Sequence, residues 1–399
     1  MTKTFTYRKR VLFNAVSAKS GGAATYAINL AKCLASTDTE HRFIFYVPSG
    51  LAKVIRDIGG PLDVVETSVG EGAGWKRFFW DQIKLRQILK REHIDVLISS
   101  SDFGMLLPPC RQILFVRNPI FFSPYYIQNI FSRKTRRARL DYCVRQKLVL
   151  LSVRFADIVM TASETMLADL KTMSRLPIGR YAVNPFGVQL QDFGSRLKEG
   201  ERLSENCLVE PFRMLYVSEY GDYKNFTALY KALAIAVSRG ATNLSLLTTA
   251  DPWQNAEAES VTRQEDQSLA KSLLASGVVC SAGYTSYASV PNLYAQCDLL
   301  VFPSLVESFG HPMVEAMASG LAVLASDIPV CREICGDAAL YFNPCDANDL
   351  ADKILRLKND HDLRLHLSEM GPKRVKVHFD WHSHVRRLVR LIEEVAANA

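Results

Sequence analysis

Residues 302–320 read FPSLVESFGHPMVEAMASG. The first four residues end an apolar run that reads as a buried strand, and a turn follows. A helix opens near Pro312, a proline suited to the first helical position. Gly310 lets the backbone come close to a ligand. The free N–H groups of the helix's first turn form an anion site. Glu307 precedes the helix and Glu315 lies inside it, eight positions later, so both can face one crevice. Carboxylates beside a phosphate site repel it and so need a reason to be there. Accepting hydrogen bonds from sugar hydroxyls is such a reason. Taken singly, Glu315 reads as a solvated helix residue and Glu307 as a turn residue; the whole string favours a site.

Other residues could serve the same chemistry. Residues 215–225 read LYVSEYGDYKN. Lys224 falls at the start of a helix, where the macrodipole disfavours a cation that has no ligand to hold. Gly21 and Gly22 follow the first strand and open a helix, so their N–H groups could face a phosphate or a sugar. The spacing is not G-x-G-x-x-G, and NAD is poorly supported. Arg117 and Asn118 end a strand at its carboxyl edge, just before Pro119. No zinc-protease, P-loop or nucleophile-elbow spacing occurs. Asp360, His361 and Asp362 read as a solvated helix face, so no metal is expected.

These residues need elements to hold them. The chain has 399 residues, 48% hydrophobic and 22% charged, which suits two domains of ordinary composition. Short apolar runs alternate with helical patterns. Strands are expected at 11–16, 42–47, 64–67, 96–99, 113–116, 158–161 and 181–184. A second set is expected at 213–217, 244–248, 278–282, 299–302, 322–325 and 339–342. Residues 189–211 are polar and read as a linker. The fold class is therefore α/β, with two doubly wound Rossmann-like domains. Their boundaries are set at 1–190 and 191–379, with a C-terminal helix over 380–399 packing back on the first domain. Ligands bind beyond the carboxyl ends of such strands, and a central cleft between the domains is the expected active site. No run of about 18 apolar residues appears. The N-terminus reads as a strand and not a secretion signal. Nine cysteines without C-x-x-C spacing suit a reducing compartment.

The string at 302–320 resembles the signature of the retaining glycosyltransferases of family four, which have the GT-B fold. That signature places two Glu with seven residues between them, between a strand ending in Pro-Ser and a helix reading Glu-Ala-Met-Ala-x-Gly. The resemblance runs from Leu215 to about Ile354, and more weakly over the whole length. It implies that Glu307, Ser304 and the backbone at Phe309, Gly310 and His311 hold the donor sugar. Glu315 would take the ribose hydroxyls, and Tyr284 would lie beside the base. Lys224 would grip the diphosphate, Gly21 and Gly22 would add backbone contacts, and Arg117 and Asn118 would line the acceptor side. Glu307, Lys224 and Asn118 are the expected catalytic residues. The family usually has Gly-Arg where this chain has Ser218 and Glu219, so one phosphate cation is missing. Near Asn118 many members carry His.

The resemblance implies transfer from a nucleotide-diphosphate sugar to an oligosaccharide or lipid-linked acceptor, with no metal or other cofactor. A nucleotide-sugar epimerase or hydrolase and a silent binding protein are the competing readings. Residues 1–190 hold 28 Lys+Arg against 14 Asp+Glu, while residues 191–399 hold 20 against 27. Aromatics such as Phe121, Phe122, Tyr125 and Tyr126 precede a basic run ending at Lys147. Over residues 121–147 this suits an anionic membrane surface. A packed helix with solvated charges is the main alternative, and nucleic acid is disfavoured. The expected location is the cytoplasm, peripheral on the inner face of the membrane.

Overall fold

The computed structural model describes residues 9–193 and 211–397, apart from 20, 38, 72–73, 175, 255–258, 284 and 286–288. Most of the expected linker lies outside these residues. The chain divides into two compact units.

The first unit contains the chain up to Asn118, Asp141–Gly187, and the chain from Trp381. Its strands are β1 (Arg10–Asn14), β2 (Arg42–Val47), β3 (Leu62–Glu66), β4 (Val96–Ser99), β5 (Arg111–Phe115), β6 (Ile158–Thr161) and β7 (Tyr181–Val183). They pair in parallel in the order β3-β2-β1-β4-β5-β6-β7. Every residue of β4 and β6 is buried. That is why these strands read as unbroken apolar runs and not as alternation. The order reverses between β1 and β4, so the loops leaving their carboxyl ends diverge there.

The second unit contains Pro119–Leu140 and Val188–Asp380. Its strands are β8 (Phe212–Tyr216), β9 (Leu244–Thr248), β10 (Val279–Ser281), β11 (Leu299–Phe302), β12 (Ala322–Ser326) and β13 (Leu340–Phe342). They form a parallel sheet in the order β10-β9-β8-β11-β12-β13. Here the reversal falls between β8 and β11. The two loops singled out in the sequence, after β8 and after β11, are the ones this topology sets side by side.

A single boundary at 190 does not describe the division, because residues 119–140 belong with the second unit. Lys134 Nζ lies 2.5 Å from Asp222 Oδ2 and donates to Glu259 O at 2.7 Å. Thr135 N donates to Glu259 Oε1 at 2.8 Å. The final helix, Trp381–Ala397, packs in the first unit on Gly21–Ser36 and β5. His384 is fully buried there and meets Tyr26 Oη through Nε2 at 2.9 Å.

Candidate active site

The centre of the second unit is the loop between β11 and the helix His311–Ala318. Gly310 caps that helix with φ 80°. A Cβ there would stand 2.5 Å from Met313 Cε and 3.3 Å from Phe302 Cζ. Only glycine fits this turn without strain. Phe309 is buried, with its ring 5.3 Å from that of His311 and 5.5 Å from that of Phe379. Ser304 is fully buried at the end of β11.

The loop after β8 is stitched to this one. Leu305 N donates to Tyr223 O at 2.8 Å. Asn225, left-handed at φ 60°, donates through Nδ2 to Pro303 O and Pro344 O at 3.0 and 2.9 Å. Tyr216 Oη donates to Lys224 O at 2.7 Å. These bonds fix the Lys224 backbone, and its ammonium forms an ion pair with Glu307. Both partners are largely buried. Burial opposes the charge on Lys224, but Glu307, Tyr223 and Tyr216 outweigh it and hold the ammonium above its ordinary range. The ring of Tyr223 lies 5.0 Å from Nζ. Spacing alone suggested Lys224 and Glu307; their direct pairing, 83 positions apart, comes from the strand order.

Glu315 lies inside the helix and is buried, not a solvated helix residue. Tyr294 Oη donates to its Oε2 at 2.8 Å. Burial pushes the carboxyl up to about 7, and the Tyr294 bond offsets part of that rise. Tyr294 and Asn225 escaped the sequence reading. Asn225 carried a signal, being a polar residue just ahead of a helix, but Tyr294 looks like any core aromatic.

Ser218 and Glu219 occupy the positions where a Gly-Arg pair was expected. Ser218 N donates to Thr249 Oγ1 at 3.0 Å, and Thr249 Oγ1 returns a bond to Ser218 O at 3.0 Å. This pins the start of the loop to the end of β9. Glu219 is exposed. Tyr284 lies outside the described residues.

In the first unit the structure joins two predicted segments. Arg117 Nη2 donates to Gly22 O at 2.9 Å, beside the start of the helix Gly21–Ser36. The guanidinium lies over the rings of Tyr26, Phe115 and Phe186 at 5.2–5.5 Å. Asp102 Oδ1 accepts from the backbone N–H of both Arg117 and Asn118, each at 2.8 Å. Gly21 and Gly22 are exposed. Asp102, which shapes this turn, was missed because a lone Asp in a loop carries no pattern.

One expectation is corrected here. Phe121, Phe122, Tyr126 and Ile130 are buried, so they cannot enter a membrane. They are apolar enough to fill a core, and the 119–140 segment uses them for that. Among the described residues no group of three His, Cys, Asp or Glu is placed to hold a metal ion.

Two family models match this chain. The one described as glycosyl transferases group 1 matches residues 201–374, and so includes Lys224, Glu307 and Glu315. The one described as glycosyltransferase family 4 matches residues 20–192, and so includes Gly21, Gly22, Arg117 and Asn118. The chain belongs to this glycosyltransferase family.

The enzyme is 34% identical to O-antigen chain mannosyltransferase B of Escherichia coli over 101 residues. That match spans 25% of this chain and only 26% of that relative. A longer match, 24% identical over 94% of this chain and 97% of the other, is to a Campylobacter jejuni protein. It is N,N'-diacetylbacillosaminyl-diphospho-undecaprenol alpha-1,3-N-acetylgalactosaminyltransferase. Among solved structures, Anabaena HepE in complex with UDP-glucose superposes with a TM-score of 0.71 at 16% identity. The superposition covers 97% of this glycosyltransferase and 100% of that chain. The fold is GT-B.

Proposed function

We propose that this glycosyltransferase moves a hexose or deoxyhexose from a nucleotide-diphosphate sugar to an oligosaccharide or lipid-linked acceptor, with retention, in assembly of a bacterial polysaccharide. The carrying observation is the buried Lys224–Glu307 pair beside the helix that starts after Gly310. A diphosphate leaving group gains charge as the sugar departs. Lys224 and the first-turn N–H groups stabilise that charge in a dry site, with no metal or other cofactor required. Glu307 and the backbone at Phe309, Gly310 and His311 hold the sugar, and Ser304 shapes the turn beneath it. Glu315 accepts from the ribose hydroxyls. In the first unit, Gly21 and Gly22 add backbone contacts to the donor, while Arg117 and Asn118 line the acceptor side. The leaving oxygen takes the acceptor's proton on the face where the new bond forms. A lipid-linked acceptor places the work at the inner face of the cytoplasmic membrane. The relatives named above support the reading, since one is an O-antigen chain mannosyltransferase, one is named for a diphospho-undecaprenol-linked acceptor, and HepE was crystallised with UDP-glucose.

Thermal shift with UDP, GDP, dTDP, CMP and NAD in EDTA tests the donor site. A ligand at about 100 times its Kd adds roughly 2.7 kcal/mol. One nucleoside diphosphate should raise the midpoint by several degrees, at about 2–4 °C per kcal/mol. A response to NAD alone would overturn the reading.

Glu315 gives a pH prediction. Its carboxyl titrates near 7 in the folded protein, above its ordinary value. The buried acid therefore favours the fold most at low pH, and that contribution is lost as pH rises through about 7. Ribose hydroxyls need the ionised form, so binding must expel a proton at low pH. Affinity for a nucleotide sugar, whose diphosphate does not titrate here, should strengthen up to about tenfold per pH unit below about 7 and then level off. Calorimetry from acid to neutral pH reads this. Glu315→Gln should flatten the slope; an unchanged slope removes Glu315 from the role.

A further inference from the structure

The helical run from Gly74 to Arg91 has two unlike faces. It is built as an α-helix Gly74–Trp80, a π turn Asp81–Leu85 and an α-helix Arg86–Arg91. Its inner face supplies Leu85 and Leu89 to the core cluster with Leu12, Ile44, Leu97 and Met105. Asp81 is buried on that face too. It accepts from Asn14 Nδ2 at 2.9 Å and lies 3.5 Å from Arg77 Nε.

The outer face is apolar where a solvated helix would be polar. Trp75, Phe79 and Ile83, spaced four apart, are 63, 56 and 54% exposed. Trp75 and Phe79 touch edge to face at 6.5 Å. A neighbouring loop, bonded to the same helical run, carries a fourth exposed apolar side chain. Leu107 is 65% exposed and sits in the left-handed region at φ 52°, an unfavourable place for leucine. The helix holds it there. Arg86 Nη1 donates to Leu107 O at 2.6 Å, and Leu106 N donates to Gln82 Oε1 at 2.8 Å. Strained backbone spent on presenting a leucine to solvent is a reason to look for what covers it.

The rim decides what that is. Lys76, Lys84 and Lys90 are exposed along the run, whose one acid, Asp81, is buried. A second copy of this face would meet lysine with lysine. A surface with negative headgroups over an apolar layer complements both features, the charge and the aromatic ridge. We propose that the Trp75–Phe79–Ile83 ridge, with Leu107 and its lysine rim, docks the protein on a bilayer that contains anionic phospholipid. The proposal stands on exposure and charge and does not depend on the transferase reading. It places the membrane face on this helix and not on the aromatics of residues 121–131.

Co-sedimentation of the full chain with vesicles tests it. Vesicles with a third of their phosphatidylcholine replaced by phosphatidylglycerol should bind at least about tenfold more protein than pure phosphatidylcholine, and salt should weaken the binding. The triple variant Trp75→Ser, Phe79→Ser, Ile83→Ser should lose about tenfold or more of that binding. The pair Lys76→Glu, Lys84→Glu should do the same through charge alone, with an unchanged melting midpoint. Wild-type vesicle binding by both variants would overturn the proposal. So would a wild-type dimer in sedimentation velocity that the serine variant converts to monomer while vesicle binding is retained, since the ridge would then be a subunit interface.

Discussion

Lys224→Met should lower transfer by about a hundred- to a thousandfold, the usual result of removing one donor aimed at developing charge in a dry site. The same change should also destabilise the second unit. Glu307 would be left buried without its cation, which costs about 3–5 kcal/mol when a buried pair is broken on one side. The two effects must be separated, because a poorly folded enzyme is also a slow one. Adding Glu307→Gln to Lys224→Met removes the stranded charge and should recover most of the melting midpoint. Transfer should stay low, since the leaving diphosphate still lacks its cation and the donor sugar now lacks the Glu307 carboxylate as well. Circular dichroism melts and single-turnover rates on the same samples read the two quantities. Recovered transfer in the double variant would mean that Lys224 only neutralises Glu307. In that case the diphosphate is held elsewhere. The exposed Glu219, standing where the family usually has Arg, makes this test sharper, because no cation at that position shares the load.

Much of this was legible because the two loops carry local signals. Pro312 and Gly310 mark a helix start, and continuous apolar runs mark the parallel strands. A strand-by-strand reading recovers the thirteen strands of the described residues with ends shifted by a residue or two. β3 begins at Leu62, earlier than expected, because its first residues are only partly buried and read as turn. The Lys224–Glu307 pair was not legible as a pair, since the order of strands in the sheet is a long-range fact. The burial of Phe121 and Phe122 was hidden for the same reason. An aromatic cluster next to arginines has one composition whether it packs inward or faces a membrane. Conversely, Trp75, Phe79 and Ile83 looked like ordinary amphipathic helix, and only the packed sheet shows that the inner face is already filled by Leu85 and Leu89.

Gly187→Ala should destabilise the first unit by about 3 kcal/mol or more, in the range of severe overpacking. A Cβ at this position would collide with Trp381 N, and would come within 2.5 Å of Trp381 Cα and 2.7 Å of its Cγ. Neither side can yield. Gly187 lies two residues beyond Pro185, whose carbonyl meets His384 Nδ1 at 2.9 Å. Trp381 opens the final helix, and Arg387 further along it donates through Nε to Asn184 Oδ1 at 2.8 Å. Thus the chain at 184–187 and the final helix are locked to each other by polar bonds, with the glycine at the point of closest approach. His384 adds a pH signature. Burial pushes its imidazole down to about 3, so it is neutral in the fold. Its contribution is present above the ordinary histidine value and is lost as pH falls from there toward 3, because the unfolded chain takes up the proton first. Hydrogen-exchange protection across residues 381–397, taken relative to the intrinsic rate at each pH, should therefore fall in Gly187→Ala at neutral pH, and in the unmodified protein on acidification. Gly74→Ala, where an added Cβ meets nothing within 4 Å, should leave both unchanged. If Gly187→Ala exchanged and melted like Gly74→Ala, the final helix would not be held by this contact. Its attachment would then rest on the Tyr26–His384 bond and the apolar face alone.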